Sequence, residues 1–279
     1  MPTTPSAPPT PTWDPHQYLR HASHRNRAMT DLLAHVTAPP VTGRPLRIAD
    51  LGCGPGNSTA IAAAHWPTAH ITGYDNSPEM LERAAAQAGT TADGGRVDFA
   101  PADLTAWTPP ERYDLILSNA TFQWVPGHAG SFAAWTAALA PGGTFAFQVP
   151  ANFDAPSHVL LRDLASSARW RERLDGCLRH ADAVLTPAAY LDLLTGLGYA
   201  ADVWETTYLQ VLPGRDAVLD WVKGTGLRPV LTALADDPEA TDAFLEEYGA
   251  LLREAYPARG HGTVFPFRRL FAVARGKDA

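Results

Sequence analysis

Lysine is nearly missing from this chain. Of its 22 basic residues only Lys223 and Lys277 are lysines, which leaves 20 arginines. Positive charge is also the minority sign: 29 acidic residues bring the net charge to −7 and the pI to about 5.8. That balance argues against a nucleic-acid partner and against an acidic membrane surface. Cysteine stops at two, Cys53 and Cys177, too few for a disulfide framework or a Cys-rich zinc site. No apolar run approaches the ~18 residues of a membrane span. The opening MPTTPSAPPTPT has neither the basic start nor the apolar run of a secretory leader. What remains is 279 residues, 46% hydrophobic and 18% charged, enough for a large globular core. These features predict a soluble cytoplasmic protein.

The arginine excess has an ordinary reading, compositional bias, and a sharper one. A guanidinium fork matches a carboxylate bidentately, so some of these arginines are candidates for binding an acidic small molecule.

Along the chain, residues 1–12 hold five prolines among Thr, Ser and Ala and are expected to form a disordered tail. Residues 13–44 are expected to be an N-terminal helical segment, with a helix from about Gln17 to Val36 closed by Pro39 and Pro40. From residue 45 short apolar runs alternate with helical patterns. LRIADL before Gly52, HITGYD ending at Asp75, RVDFAPAD, YDLILSN ending at Asn119 and TFAFQVP read as strands. Ser77 followed by PEMLERAAAQA reads as a helix with Ser at the N-cap and Pro at the first position. Two further strand-like runs, ADVWETTYL and FRRLFAVA, complete seven. This alternation predicts an α/β fold, a doubly wound and mostly parallel seven-stranded sheet. The core is expected over 45–210 and 265–279, with 211–264 as a helical cap insertion between the last two strands.

The strongest chemical signal is IADLGCGPGNST, residues 48–59, where a first strand passes into a first helix. Gly52, Gly54 and Gly56 let a ligand approach the backbone closely. Asn57, Ser58 and Thr59 offer polar contacts at the helix start. Asn57 stands where a dinucleotide fingerprint wants its third glycine, which disfavours a nicotinamide enzyme. Asp50 precedes the turn. Asp75 ends the second strand 21 residues after Gly54, where a carboxylate can accept both hydroxyls of a ribose. Asp103 follows the third strand and can accept from an adenine amine. Together these describe a nucleoside site without a pyrophosphate cradle.

Through residues 45–150 the chain resembles the Rossmann-like class I S-adenosylmethionine-dependent methyltransferases. That resemblance implies S-adenosylmethionine as cofactor. It places Asp50, Gly52, Gly54 and Gly56 around the methionine part, Asp75 with Asn76 and Met80 at the ribose, Asp103 and Leu104 at the adenine, and Asn119 beneath the sulfonium. Longer stretches are similar to the trans-aconitate 2-methyltransferase family: WDPHQYL, DLGCGPGNST, ITGYDNSPEML, NATFQWVPGH, the Gln148-Val149-Pro150 run, ETTYLQVLP, DWVKGTGLRP and FRRLFAVA. They imply transfer of a methyl group to a carboxylate of trans-aconitate or a related small polycarboxylate. Such an acceptor has a pKa near ~4 and is already ionised at neutral pH, so no general base is required, and no residue is assigned as catalytic beyond positioning.

The resemblance makes Arg228 the first candidate for the acceptor's charge and Arg269 the second. Arg268 stands where the family pattern has proline, and strand alternation allows at most one of Arg268 and Arg269 to face the pocket. Arg25 and Arg27 are weaker candidates, Arg25 also toward the cofactor. Tyr18 and Trp124 are expected as aromatic walls, Tyr18 over the cofactor as well, with Trp221 and His128 as further acceptor contacts. Leu209 and Val230 depart from the family's aromatic positions, in the half that would choose the acid. A different natural-product acceptor is the alternative, and a neutral one would need a base such as His128. A non-catalytic S-adenosylmethionine-binding protein is the other. No metal is expected, since His21-x-x-His24 has no third ligand beside it. A monomer or weak homo-oligomer is expected.

Overall fold

The computed structural model describes residues 22–39, 41–178 and 183–276, with side chains from residue 26 onward. Tyr18 and the side chain of Arg25 lie outside what is described, as do the expected tail and the first residues of the expected helix. Two compact units divide the described chain. A sheet unit carries 22–151, 183–207 and 268–276, and a helical unit carries 152–178 and 208–267. The helical unit therefore takes residues 152–178 as well, which sequence reading assigned to the core.

One sheet holds nine strands among the described residues: β1 (Arg47–Leu51), β2 (His70–Asp75), β3 (Gly89–Thr90), β4 (Arg96–Pro101), β5 (Tyr113–Asn119), β6 (Leu139–Pro150), β7 (Ala200–Leu212), β8 (Ala258–Arg259) and β9 (Gly262–Arg275). Their order is β3-β4-β2-β1-β5-β6-β9-β7, with β8 on β9. The run β4-β2-β1-β5-β6 is parallel, while β9 pairs antiparallel with β6. The seven expected strands are present, and the two additions, β3 and β8, are two-residue pieces. Every residue of β5 is buried, as suits a parallel strand covered on both faces.

In the sheet unit α1 (Ala22–Ala34), α2 (Asn57–His65), α3 (Pro78–Ala84), α4 (Phe132–Ala137) and α7 (Pro187–Gly196) are helical. Ser77 accepts from the Met80 N–H and Pro78 opens α3, so local sequence alone sets that start. Phe122, Phe132, Trp135, Phe145, Phe147 and Tyr190 form the aromatic centre of this unit's core.

The helical unit is built from α5 (Pro156–Ala165), α6 (Arg171–Leu174), α8 (Ala217–Lys223), α9 (Arg228–Ala233) and α10 (Pro238–Ala255). α10 is capped by Asp237, whose side chain accepts from the Ala240 N–H, and it buries Phe244, Tyr248 and Leu252 at a spacing of four. That stripe meets Trp170, Trp221 and Phe265 in a separate core. The Tyr248 hydroxyl donates to the Ser157 carbonyl at 2.5 Å and ties α10 to α5.

The chain leaves β1 toward β2 and β4, then returns to the other side of β1 with β5. This reversal puts the topological switch point at the carboxyl ends of β1 and β5, the place where sheets of this kind hold ligands.

Candidate functional site

The turn after β1 is folded tightly onto the end of β2. The Gly52 and Cys53 N–H groups donate to the Tyr74 carbonyl at 2.7 and 2.9 Å. Gly52, Gly54 and Gly56 all have positive φ, at 71°, 55° and 88°. A Cβ on Gly52 would meet Thr121 side-chain atoms at 2.1–2.6 Å, and one on Gly56 would meet Gln87 at 2.8 Å. A Cβ on Gly54 would meet nothing within 4 Å. Two of the glycines thus serve close packing, whereas Gly54 leaves an open backbone surface. Beside it, Asp75 accepts from the Gly54 N–H and the Ser77 N–H, each at 2.9 Å. Burial raises the Asp75 carboxyl above its usual range, against the bonds from Ser77 and Gly54. Each oxygen keeps a further lone pair that a hydroxyl can use.

Asp50 is fully buried. Its Oδ2 accepts from the Thr59 hydroxyl at 2.7 Å, while Oδ1 has no partner among the described residues. Burial lifts this carboxyl to about 6, the Thr59 bond opposes the shift, and the charge of Asp75 adds to it. A buried carboxylate oxygen left open is costly unless a donor or cation completes it. An ammonium-bearing ligand at the glycine turn would do so, which is what the amino-acid part of S-adenosylmethionine carries. The open Gly54 surface and the Asp75 oxygens suit its nucleoside. The residues present therefore fit this group.

A second polar feature crosses the strand ends. Arg269 Nη1 donates to Gln148 Oε1 at 3.0 Å, Gln148 Nε2 donates to Asn119 Oδ1 at 2.6 Å, and Asn119 Nδ2 donates to Ser58 Oγ at 2.9 Å. The row joins β9, β6, β5 and the first turn of α2. Gln148, Thr121 and Gln87 were not among the expected site residues.

The other expected residues fall as follows. Asn76 is exposed beside Asp75, and Met80 is buried on α3. Asp103 is exposed, with one oxygen held by the Thr105 N–H and hydroxyl, and Leu104 is buried in the sheet unit's core. Trp124 is half-buried in a short turn after β5. Arg228 is half-buried at the start of α9. Arg27 is exposed, 3.8 Å from Asp31.

Three of the expected residues make contacts within the protein itself. His128 is buried, its Nδ1 on the Val125 carbonyl and its Nε2 on the Tyr190 hydroxyl at 2.6 Å, so both ring nitrogens are spent on the fold. Burial holds this imidazole below its usual pKa. Trp221 is a core residue of the helical unit, with its ring 5.8 Å from Phe265 and 5.4 Å from Phe267. Arg269 is 3% exposed and turned onto Gln148 rather than toward solvent, while its neighbour Arg268 reaches Glu205 at 3.4 Å. The alternation expected of a strand separates the two.

A glycine turn after β1 with a carboxylate at the end of β2, at the switch point of such a sheet, is the arrangement of the class I methyltransferases, and residues 48–143 match the family model for a methyltransferase domain. The protein is an S-adenosylmethionine-dependent methyltransferase. Comparison with curated proteins narrows this. The chain is 68% identical to the trans-aconitate 2-methyltransferase of Streptomyces coelicolor, over 95% of this chain and 87% of that one. It is equally similar to the enzyme of that name from Streptomyces avermitilis, over 95% and 97%. The chain belongs to the trans-aconitate 2-methyltransferase family. Among solved structures, YjhP from E. coli shares the fold, with a TM-score of 0.54 at 18% identity over 94% of this chain and all of that one.

Proposed function

We propose that this enzyme transfers the methyl group of S-adenosylmethionine to a carboxylate of trans-aconitate, giving a monomethyl ester and S-adenosylhomocysteine. The observation that carries this reading is the 68% identity to relatives of that name across 95% of the chain, which takes in both units and not the cofactor segment alone. In this reading Asp75 holds the ribose, Asp103 and Leu104 the adenine, and Asp50 the ammonium, with the glycine turn beneath. When bound, the cofactor supplies an electrophilic methyl on a sulfonium. The protein's own work is to orient the acceptor oxygen and exclude water. An acceptor acid is ionised at neutral pH without help, which agrees with His128, the one histidine considered as a base, being committed to Tyr190 and Val125. Arg228 is assigned to an acceptor carboxylate on the strength of the family resemblance.

The test is transfer of a radiolabelled methyl group to trans-aconitate, cis-aconitate and citrate. The highest kcat/KM is expected with trans-aconitate. No transfer to any of the three, with S-adenosylhomocysteine still bound, would reassign the acceptor. In the same assay Arg228→Ala is expected to raise the acceptor KM about tenfold or more while leaving S-adenosylhomocysteine affinity unchanged.

A further inference from the structure

The row Arg269–Gln148–Asn119–Ser58 has a direction. A guanidinium can only donate, so Arg269 requires Gln148 to turn its oxygen toward β9. Gln148 must then offer its NH2 to Asn119, whose oxygen accepts and whose NH2 is left facing Ser58. Since an amide NH2 only donates, Ser58 Oγ is an acceptor in that contact, and its single proton points elsewhere. No acceptor for that proton exists among the described residues. The orientations of both amides follow from the arginine at one end, with no freedom for either to flip alone. Gln148 is fully buried and Asn119 nearly so, which keeps water from breaking the sequence.

Ser58 shares the first turn of α2 with Thr59, whose hydroxyl is held by Asp50. The turn thus brings together a buried carboxylate oxygen that a cation would complete and a half-buried hydroxyl whose proton an anion could accept. The two requirements are those of a zwitterionic amino acid. We propose that Arg269 is a positioning residue for the cofactor: through Gln148 and Asn119 it sets the Ser58 hydroxyl as a donor to the carboxylate of the cofactor's methionine part. This rests on the cofactor reading of the glycine turn, and it removes Arg269 from the residues that meet the acceptor.

Two probes separate the amino-acid part from the nucleoside: S-adenosylhomocysteine, and 5′-methylthioadenosine, which has no amino acid. Titration calorimetry is expected to show Ser58→Ala weakening S-adenosylhomocysteine about tenfold, the scale of one hydrogen bond to a charged group, with 5′-methylthioadenosine unchanged. Arg269→Met is expected to reproduce that loss and to add nothing in the Ser58→Ala background. Arg269→Lys, still a donor-only cation, is expected to restore most of the affinity. Gln148→Glu keeps a partner for Arg269 and protects against a folding failure. Its carboxylate cannot donate to Asn119, so Asn119 is free to reverse and capture the Ser58 proton, and the same selective loss is expected.

Parental affinity in Ser58→Ala, equal weakening of both probes, or full additivity of the Ser58 and Arg269 losses would overturn the proposal. So would an Arg269→Lys variant whose only defect is a raised acceptor KM. A parent protein that binds neither probe would instead remove the cofactor reading itself.

Discussion

Gly52 and Gly54 share left-handed backbone angles but not surroundings, and a methyl group tells them apart. Gly52→Ala would drive Cβ into Thr121, so it is expected to cost roughly 2–4 kcal/mol through strain and overlap, read as a lower urea midpoint. Gly54→Ala meets no protein atom and is expected to lose only about 1–2 kcal/mol from its backbone angle. Yet it puts a side chain on the open surface, and S-adenosylhomocysteine binding should fall far more than stability does. Asp50 adds a pH signature. Its carboxyl is raised to about 6 in the fold, so the folded protein holds this proton more tightly than the unfolded chain. Ionising it costs stability once the pH passes the ordinary carboxyl value near ~4, and the cost grows until about 6. A bound ammonium favours the ionised form. S-adenosylhomocysteine affinity is therefore expected to rise as the pH climbs through about 6, and Asp50→Asn should flatten that rise.

Among the elements, the start of β5 is fixed to the approach of β1 by one carboxylate. Asp114 accepts from Arg44 Nη1 at 2.6 Å, Arg44 Nη2 at 2.8 Å and the Arg47 N–H at 2.9 Å. Burial pushes this carboxyl up, but the Arg44 fork and the Arg47 N–H outweigh it and hold it below its usual value. The stabilisation is present above the ordinary carboxyl pKa and is lost as the pH falls through the depressed one. Because Arg44 is partly exposed, Asp114→Asn is expected to cost a modest ~1–3 kcal/mol, with an acid-unfolding midpoint less sensitive to pH. What could be read from sequence at this scale was local chemistry: Ser77-Pro78 starts α3, and the glycine turn marks the end of β1. What could not be read was long-range. The apolar pattern over 157–173 does not show that the chain divides into α5 and α6 around Ser166-Ser167, side chains that compete for backbone groups. The six-residue α9 carries too little periodicity to stand out between two other helices. The Gln148–Arg269 contact joins residues 121 apart, and only the insertion of β9 beside β6 creates it. His128 and Trp221 are residue types that serve sites and cores alike, and burial decided which.

For the whole molecule, ligand binding and stability are one measurement. S-adenosylhomocysteine at about a hundredfold over its Kd should add roughly 2.7 kcal/mol to the folded state, a rise of roughly 5–10 °C in Tm for a chain of this size. NAD at the same concentration should give none, as the Asn57 substitution in the glycine fingerprint requires. The sheet order carries a consequence of its own. β9 is later in sequence than β7 yet lies between β7 and β6, so on the ribosome β7 emerges with no neighbour to zip onto. It must wait, its backbone edge unpaired, until the following segment arrives and wedges itself in. Translation speed between the two, or a chaperone holding the earlier one, would then govern the yield of active enzyme more than the stability of the finished fold.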